Sequence, residues 1–170
     1  LYTVSPQQFT TPTLLMLCQD SDQHVRESAQ EALGAVGGPA AVDALLALAA
    51  DNDPQVRVRA AGALARAADS DPRVPRHLVS LAQDTEAEVR AAVISGLSSA
   101  AGELARWASL VVRLANDPAP VVRLRVAVAA RRLAPEAAPD ILGRYVRDPD
   151  ARIRRVAGAE LGRLSGPAAR

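Results

Sequence analysis

The sequence predicts an all-α fold, a right-handed α-solenoid (an α-α superhelix) of five helical hairpins. Three observations lead there. Val or Ile followed by Arg recurs five times, at Val25-Arg26, Val56-Arg57, Val89-Arg90, Val122-Arg123 and Ile153-Arg154. Apolar residues make up 49% of the chain but aromatics only 2%, so the core must be built from Ala, Leu and Val. Such small and aliphatic residues suit closely packed helices, and the β-branched and aromatic runs that strands need are missing.

The recurrence extends well beyond the dipeptide. Its spacings are 31, 33, 33 and 31 residues. Five residues before each motif Val or Ile stands an Asp: Asp20, Asp51, Asp84, Asp117 and Asp148. Four residues after it comes Ala29, Ala60, Val93, Val126 or Ala157, and eight after it Leu33, Leu64, Leu97, Ala130 or Leu161. Steps of four place these residues on one helical stripe. A single hairpin cannot bury that stripe, but stacked hairpins can.

The repeats read as residues 11–37, 38–69, 70–101, 102–134 and 135–166, with 1–10 as a linker or the remnant of an upstream element. In the first, Leu14 and Leu17 mark a helix ending near Asp20, and Asp22 caps the next. Gly37-Gly38-Pro39 breaks the chain before the second repeat, where Leu45 and Leu48 precede the cap Asp53 and Pro54. After Asp71-Pro72 the third repeat carries Leu78, Leu81 and the acidic cap Glu86. The fourth departs most, with Ala119 at the cap position, Ala130 in place of Leu and a Pro118-Ala119-Pro120 entry. Its Trp107 reads as core filling or convex-face packing, in preference to ligand stacking. The fifth follows Ala134-Pro135, with Leu142, Tyr145 and the cap Asp150. The stretch Leu33–Ala41 recurs as Leu161–Ala169, so the chain stops where a sixth repeat would begin. This reads as a piece of a longer solenoid, or as a C-terminus that docks on something.

The pattern Asp-x-Asp-x-x-Val-Arg-x-x-Ala-x-x-x-Leu resembles the short HEAT-like repeat, the type also found in bilin-lyase HEAT proteins, over roughly residues 12–165. The resemblance implies a scaffold or adaptor. It also implies that the repeated Asp and the Arg of each motif (Arg26, Arg57, Arg90, Arg123 and Arg154) form a hydrogen-bonded ladder between neighbouring repeats. Five copies of one Asp–Arg pair point to architecture, because an active site needs one constellation. His24 and His77 occupy non-equivalent positions and no His-Glu pair occurs, so no metal site is expected. No glycine-rich phosphate loop and no grouped nucleophile and base are present. Cys18, the single cysteine, lies in an apolar run and reads as buried. The expectation is a chain that is not an enzyme, with no catalytic residue and no cofactor.

In HEAT-like solenoids the second helices line the concave surface. Residues two, three, six and ten after each motif Val fall opposite the core stripe. The concave candidates are Val58, Arg59 and Arg66 in repeat two, Val121, Leu124, Arg125, Val128 and Arg132 in repeat four, and Arg152, Arg155 and Arg163 in repeat five. Apolar residues flanked by Arg on a surface that the core does not use mark a binding site. Residues 1–85 carry net charge −4 and residues 86–170 carry +5. A protein partner with an acidic or amphipathic segment should therefore prefer repeats four and five. Nucleic acid, as in HEAT-like DNA glycosylases, and a bilin lyase are the alternatives. Near-zero net charge, the absence of Lys and a concave face without stacking aromatics weigh against nucleic acid. All twenty basic residues are Arg and Ala abounds, as a GC-rich bacterial genome produces. With no apolar run of membrane-spanning length, the expected place is the cytoplasm.

Overall fold

The structure, a computed structural model, describes residues 6–100 and 104–164, with side chains from Thr11 onward. The helices are α1 (Pro6–Leu17), α2 (Gln23–Val36), α3 (Pro39–Leu48), α4 (Pro54–Arg66), α5 (Val74–Leu81), α6 (Ala87–Ser99), α7 (Ala108–Leu114), α8 (Pro120–Leu133), α9 (Ala138–Tyr145) and α10 (Ala151–Leu164). One 3-10 turn, Ala105–Trp107, leads into α7. The described residues contain no strand, and none of their helices is long and apolar enough to cross a membrane. The chain forms two compact units, Leu1–Ala100 and Ala101–Arg170. The first holds the hairpins α1–α2, α3–α4 and α5–α6; the second holds α7–α8 and α9–α10. Helix α1 starts at Pro6, inside the segment expected to be a linker. Residues 1–5, and 165–169 of the recurring end stretch, lie outside the described residues.

Short-range chemistry sets the helix starts. Oδ1 of Asp22 accepts the N–H of His24 at 2.7 Å, and Asp53 does the same for Gln55 and Asp150 for Arg152, each at 2.8 Å. These bonds satisfy N–H groups that the first turn leaves unpaired. Pro39, Pro54 and Pro120 open their helices, where a missing N–H costs nothing. Glu86 was expected to cap α6, but its side chain makes no cap bond; only its carbonyl accepts, from the N–H of Arg90. A carboxylate one methylene further from the backbone does not reach back as Asp does. Between α2 and α3 the chain reverses through Gly37 (φ 65°) and Gly38 (φ 83°), a left-handed pair that suits glycine.

The motif stripe forms the core. Leu33, Leu64, Leu97, Val89, Val122 and Ile153 are fully buried, as are Val42, Leu45, Leu78, Val111 and Leu142 from the first helices. Each such side chain contributes about 1.5–3 kcal/mol. Trp107 is buried as core, and Cys18 is buried too, which pushes its thiol pKa up. In both units the second helices pack on one another more extensively than the first helices do, so they form the inner side.

Small residues permit that approach. A methyl placed on Gly96 of α6 would stand 2.5 Å from the carbonyl oxygen of Gly62 and 2.6 Å from the methyl of Ala65, both on α4. At Gly34 of α2 it would meet Ala63 of α4 at 3.0 Å. In the second unit the Tyr145 hydroxyl donates to the Ala115 carbonyl at 2.8 Å, joining α9 to the end of α7, and burial pushes the phenol's pKa up. Tyr145→Phe leaves that buried carbonyl unpaired. It should cost about 1 kcal/mol, seen in a thermal melt as a fall of a few degrees.

Candidate protein-binding face

The Asp–Arg motif builds the connection after each first helix before it builds anything between hairpins. In all five copies the Asp carboxylate accepts the N–H two residues on, for example Asp84 from Glu86 at 2.9 Å and Asp148 from Asp150 at 2.9 Å. The motif Arg then folds back, and its Nη1 donates to the Asp carbonyl at 2.7–2.9 Å and to the carbonyl of the next residue. Within the units, the motif residues Arg57 and Arg123 also span hairpins. Arg57 grips Asp84 with Nε and Nη2 at 2.9 and 3.0 Å, and Arg123 grips Asp148 at 2.8 and 3.1 Å. These forks hold both carboxyls below their ordinary pKa range. The expected rung from Arg26 to Asp51 is not made, because Arg26 reaches only the carbonyls of Asp20 and Ser21.

Other expected face residues divide by what they touch. In the first unit, Val58 and Arg59 are half-buried and Arg66 is exposed. Arg59 donates to Glu27 of α2 at 3.0 Å, which holds α4 on α2 instead of presenting the guanidinium outward. In the second unit, Arg125 and Arg155 are exposed and make no hydrogen bond or ion pair among the described residues; Arg132 is also exposed. Val121 and Leu124 are half-buried, and Val128 is 52% exposed. Among the described residues, the other exposed large apolar side chains, Met16, Val79, Val112 and Val146, belong to first helices or the turn after one. Arg152 closes on its own cap, 2.7 Å from Asp150, and its fork holds that carboxyl down to about 2.

Arg163 is likewise engaged, bonded to Glu160. Glu160 is 6% exposed and also accepts from Arg131 of α8 at 3.2 Å, a cross-helix pair that sequence reasoning did not single out. A signal was present. Seven residues after the motif Val the other copies carry Ala32, Ala63, Gly96 and Ala129, and only the fifth carries an acid.

Residues 6–64 match the HEAT-repeat family. Residues 6–64 are HEAT-like repeats, and the remaining hairpins share the fold of HEAT-repeat solenoids. Among curated proteins no sequence matches. Among solved structures, the complex of CpcE and CpcF of phycocyanin lyase from Nostoc shares 21% identity over 99% of this chain and 70% of that chain, with a TM-score of 0.68. YibA from E. coli shares 21% identity over 88% of this chain and 57% of that one, with a TM-score of 0.62. An engineered protein shares 19% over 94% and 84%, with a TM-score of 0.54. At these identities the likeness concerns the fold.

The first of these structures corrects one expectation. The chain was expected not to be an enzyme because its Asp–Arg pairs recur, yet a HEAT-like fold matching 99% of it occurs in a lyase complex. Recurrence shows only that the ladder is architectural. It does not decide what the rest of such a surface does.

Proposed function

We propose that the second unit binds a protein partner along the inner face of α8 and α10, with Leu124, Arg125, Val128, Arg132 and Arg155 as the contact. One observation carries this reading: Val128 stands 52% exposed on a second helix, one turn from Leu124 and Arg125, and is the only exposed large apolar side chain on the described second helices. Apolar area supplies affinity, and an Arg fork supplies direction toward carboxylates. The site suits an acidic or amphipathic helical segment. The net charge of residues 86–170, +5, supports an acidic partner, and one similar structure is itself a complex of two proteins.

A photo-crosslinker at Val128 in the full chain should capture a polypeptide from an extract of the source cells. Arg125→Glu with Arg155→Glu should lower that partner's affinity at least about tenfold, the scale of losing an interface hot spot, with the melting midpoint nearly unchanged. Arg113→Glu, an exposed position on α7, is the control and should leave binding intact. Equal losses from both proteins would remove the site from this face. Capture of nucleic acid, with affinity falling steeply in salt, would replace the reading altogether.

A further inference from the structure

Neighbouring second helices meet along seams on the inner side, and the bonds across a seam give its register. Arg59 of α4, three residues after its motif Val, donates to Glu27 of α2, two residues after its own, at 3.0 Å. With Glu31 one turn further on, this pair fills the α2–α4 seam with charge. The α4–α6 seam is shut for another reason. Ala65 and Gly96 meet so closely that a Cβ on Gly96 would stand 2.6 Å from the Ala65 methyl.

Between α8 and α10 the same repeat positions hold other residues. Leu124 and Val156 stand where Glu27 and Arg59 do, both half-buried, and Val128, 52% exposed, stands where Glu31 does. Arg131 and Glu160 stand where Ala65 and Gly96 meet, bonded at 3.2 Å. Two long side chains need more room than a methyl and a glycine, so α8 and α10 pack less closely than α4 and α6. The seam is therefore apolar and open along Leu124 and Val128, and the pairs of Glu160 with Arg131 and Arg163 close it beyond. Arg125 borders it on α8 and Arg155 on α10, each exposed and without a bond among the described residues. Both walls of the seam are helices of this one unit, with side chains described throughout.

Building on the reading of the inner face as a protein-binding surface, we propose that this seam seats one amphipathic helix of the bound protein, carrying the pattern acid-apolar-x-x-apolar-acid. A third helix laid between two others points residues three apart into the seam, and the residues just outside that pair border it on either side. At about 100° per residue the two acids stand about 70° to either side of the apolar pair. One then faces Arg125 and the other Arg155, whose guanidinium forks suit carboxylates. The Arg131–Glu160 pair leaves room for about one turn of apolar contact, hence two anchors and not a longer stripe. A helix suits this seat better than an extended segment, because α8 and α10 bond their own amides and offer none to a strand.

The probe is a synthetic Ala-rich peptide of about 20 residues, long enough to hold a helix, with Glu-Leu-Ala-Ala-Leu-Glu at its centre. An isomer of the same composition and charge carries both Glu on the opposite face. By fluorescence anisotropy with the full chain, the first should bind at least about tenfold tighter than the isomer. Val128→Asp, at an exposed position, should abolish that preference with the melting midpoint nearly unchanged, and Val79→Asp on α5 should leave it intact. Arg125→Glu should weaken binding, and one of the two peptides with a single Glu→Arg exchange should recover it, since opposite charges then meet again. Equal binding of the isomers, binding of neither, or binding indifferent to Val128→Asp overturns the seat. Failure of the peptides while a crosslinker at Val128 still captures a protein overturns the helix pattern alone. Failure of both overturns the inner-face reading with it.

Discussion

Gly96→Leu should destabilise the first unit by about 3 kcal/mol or more, a fall in melting midpoint on the order of 10 °C. The added Cβ alone would lie 2.5 Å from the Gly62 carbonyl oxygen and 2.6 Å from the Ala65 methyl. Neither is the far end of a flexible side chain, so α4 and α6 must move apart and lose the burial of Ala61, Ala65 and Ile94. Gly143→Ala, where a Cβ meets nothing within 4 Å, should do the opposite. A helix-interior glycine replaced without a clash gains about 0.5–1 kcal/mol. Thermal melts of the two variants should therefore shift in opposite directions. A Gly96 variant melting like the wild type would show that the second helices do not approach as closely as described.

Asp148→Ala should cost about 3 kcal/mol, whereas Asp51→Ala should cost less than about 1 kcal/mol. The motif gives both residues the same name. Asp148 is 7% exposed and holds the Arg123 fork, and its loss leaves a guanidinium largely buried without its counter-ion. Asp51 is exposed and its carboxylate caps its turn, but no Arg among the described residues bonds to that carboxylate; Arg57 reaches only its carbonyl. The rung also sets a pH dependence. Arg123 lowers the folded pKa of Asp148. Its contribution is therefore present above the unfolded value of about 3.9 and is lost as pH falls through the lower folded value. The difference in stability between wild type and Asp148→Ala should be constant from neutral pH down to about pH 4 and shrink below it. Denaturant melts at several pH values would show this; a difference that persisted unchanged at the most acid values would remove the rung as its source.

The sequence alone determined the fold class and the place of the elements. Asp-capped or Pro-led starts, Gly-Gly-Pro at a joint and a stripe in steps of four are local signals, and five copies make each legible against the others. Cys18 was legible as core from its apolar run, whereas Trp107 was legible only as core or convex-face packing until the structure buried it. Which rungs of the ladder close was not legible. Arg26 and Arg57 carry the same motif, and only the distance between successive hairpins lets Arg57 grip the next Asp while Arg26 stays on its own turn. The same holds for the face residues: Arg59 and Arg125 occupy one column of the repeat, yet Arg59 is taken up by Glu27 and Arg125 stays exposed. A periodic sequence specifies what each position offers, but a long Arg side chain chooses among several acceptors within its reach. That choice depends on separations of a few ångströms between helices about thirty residues apart in the chain, which only the packed structure decides.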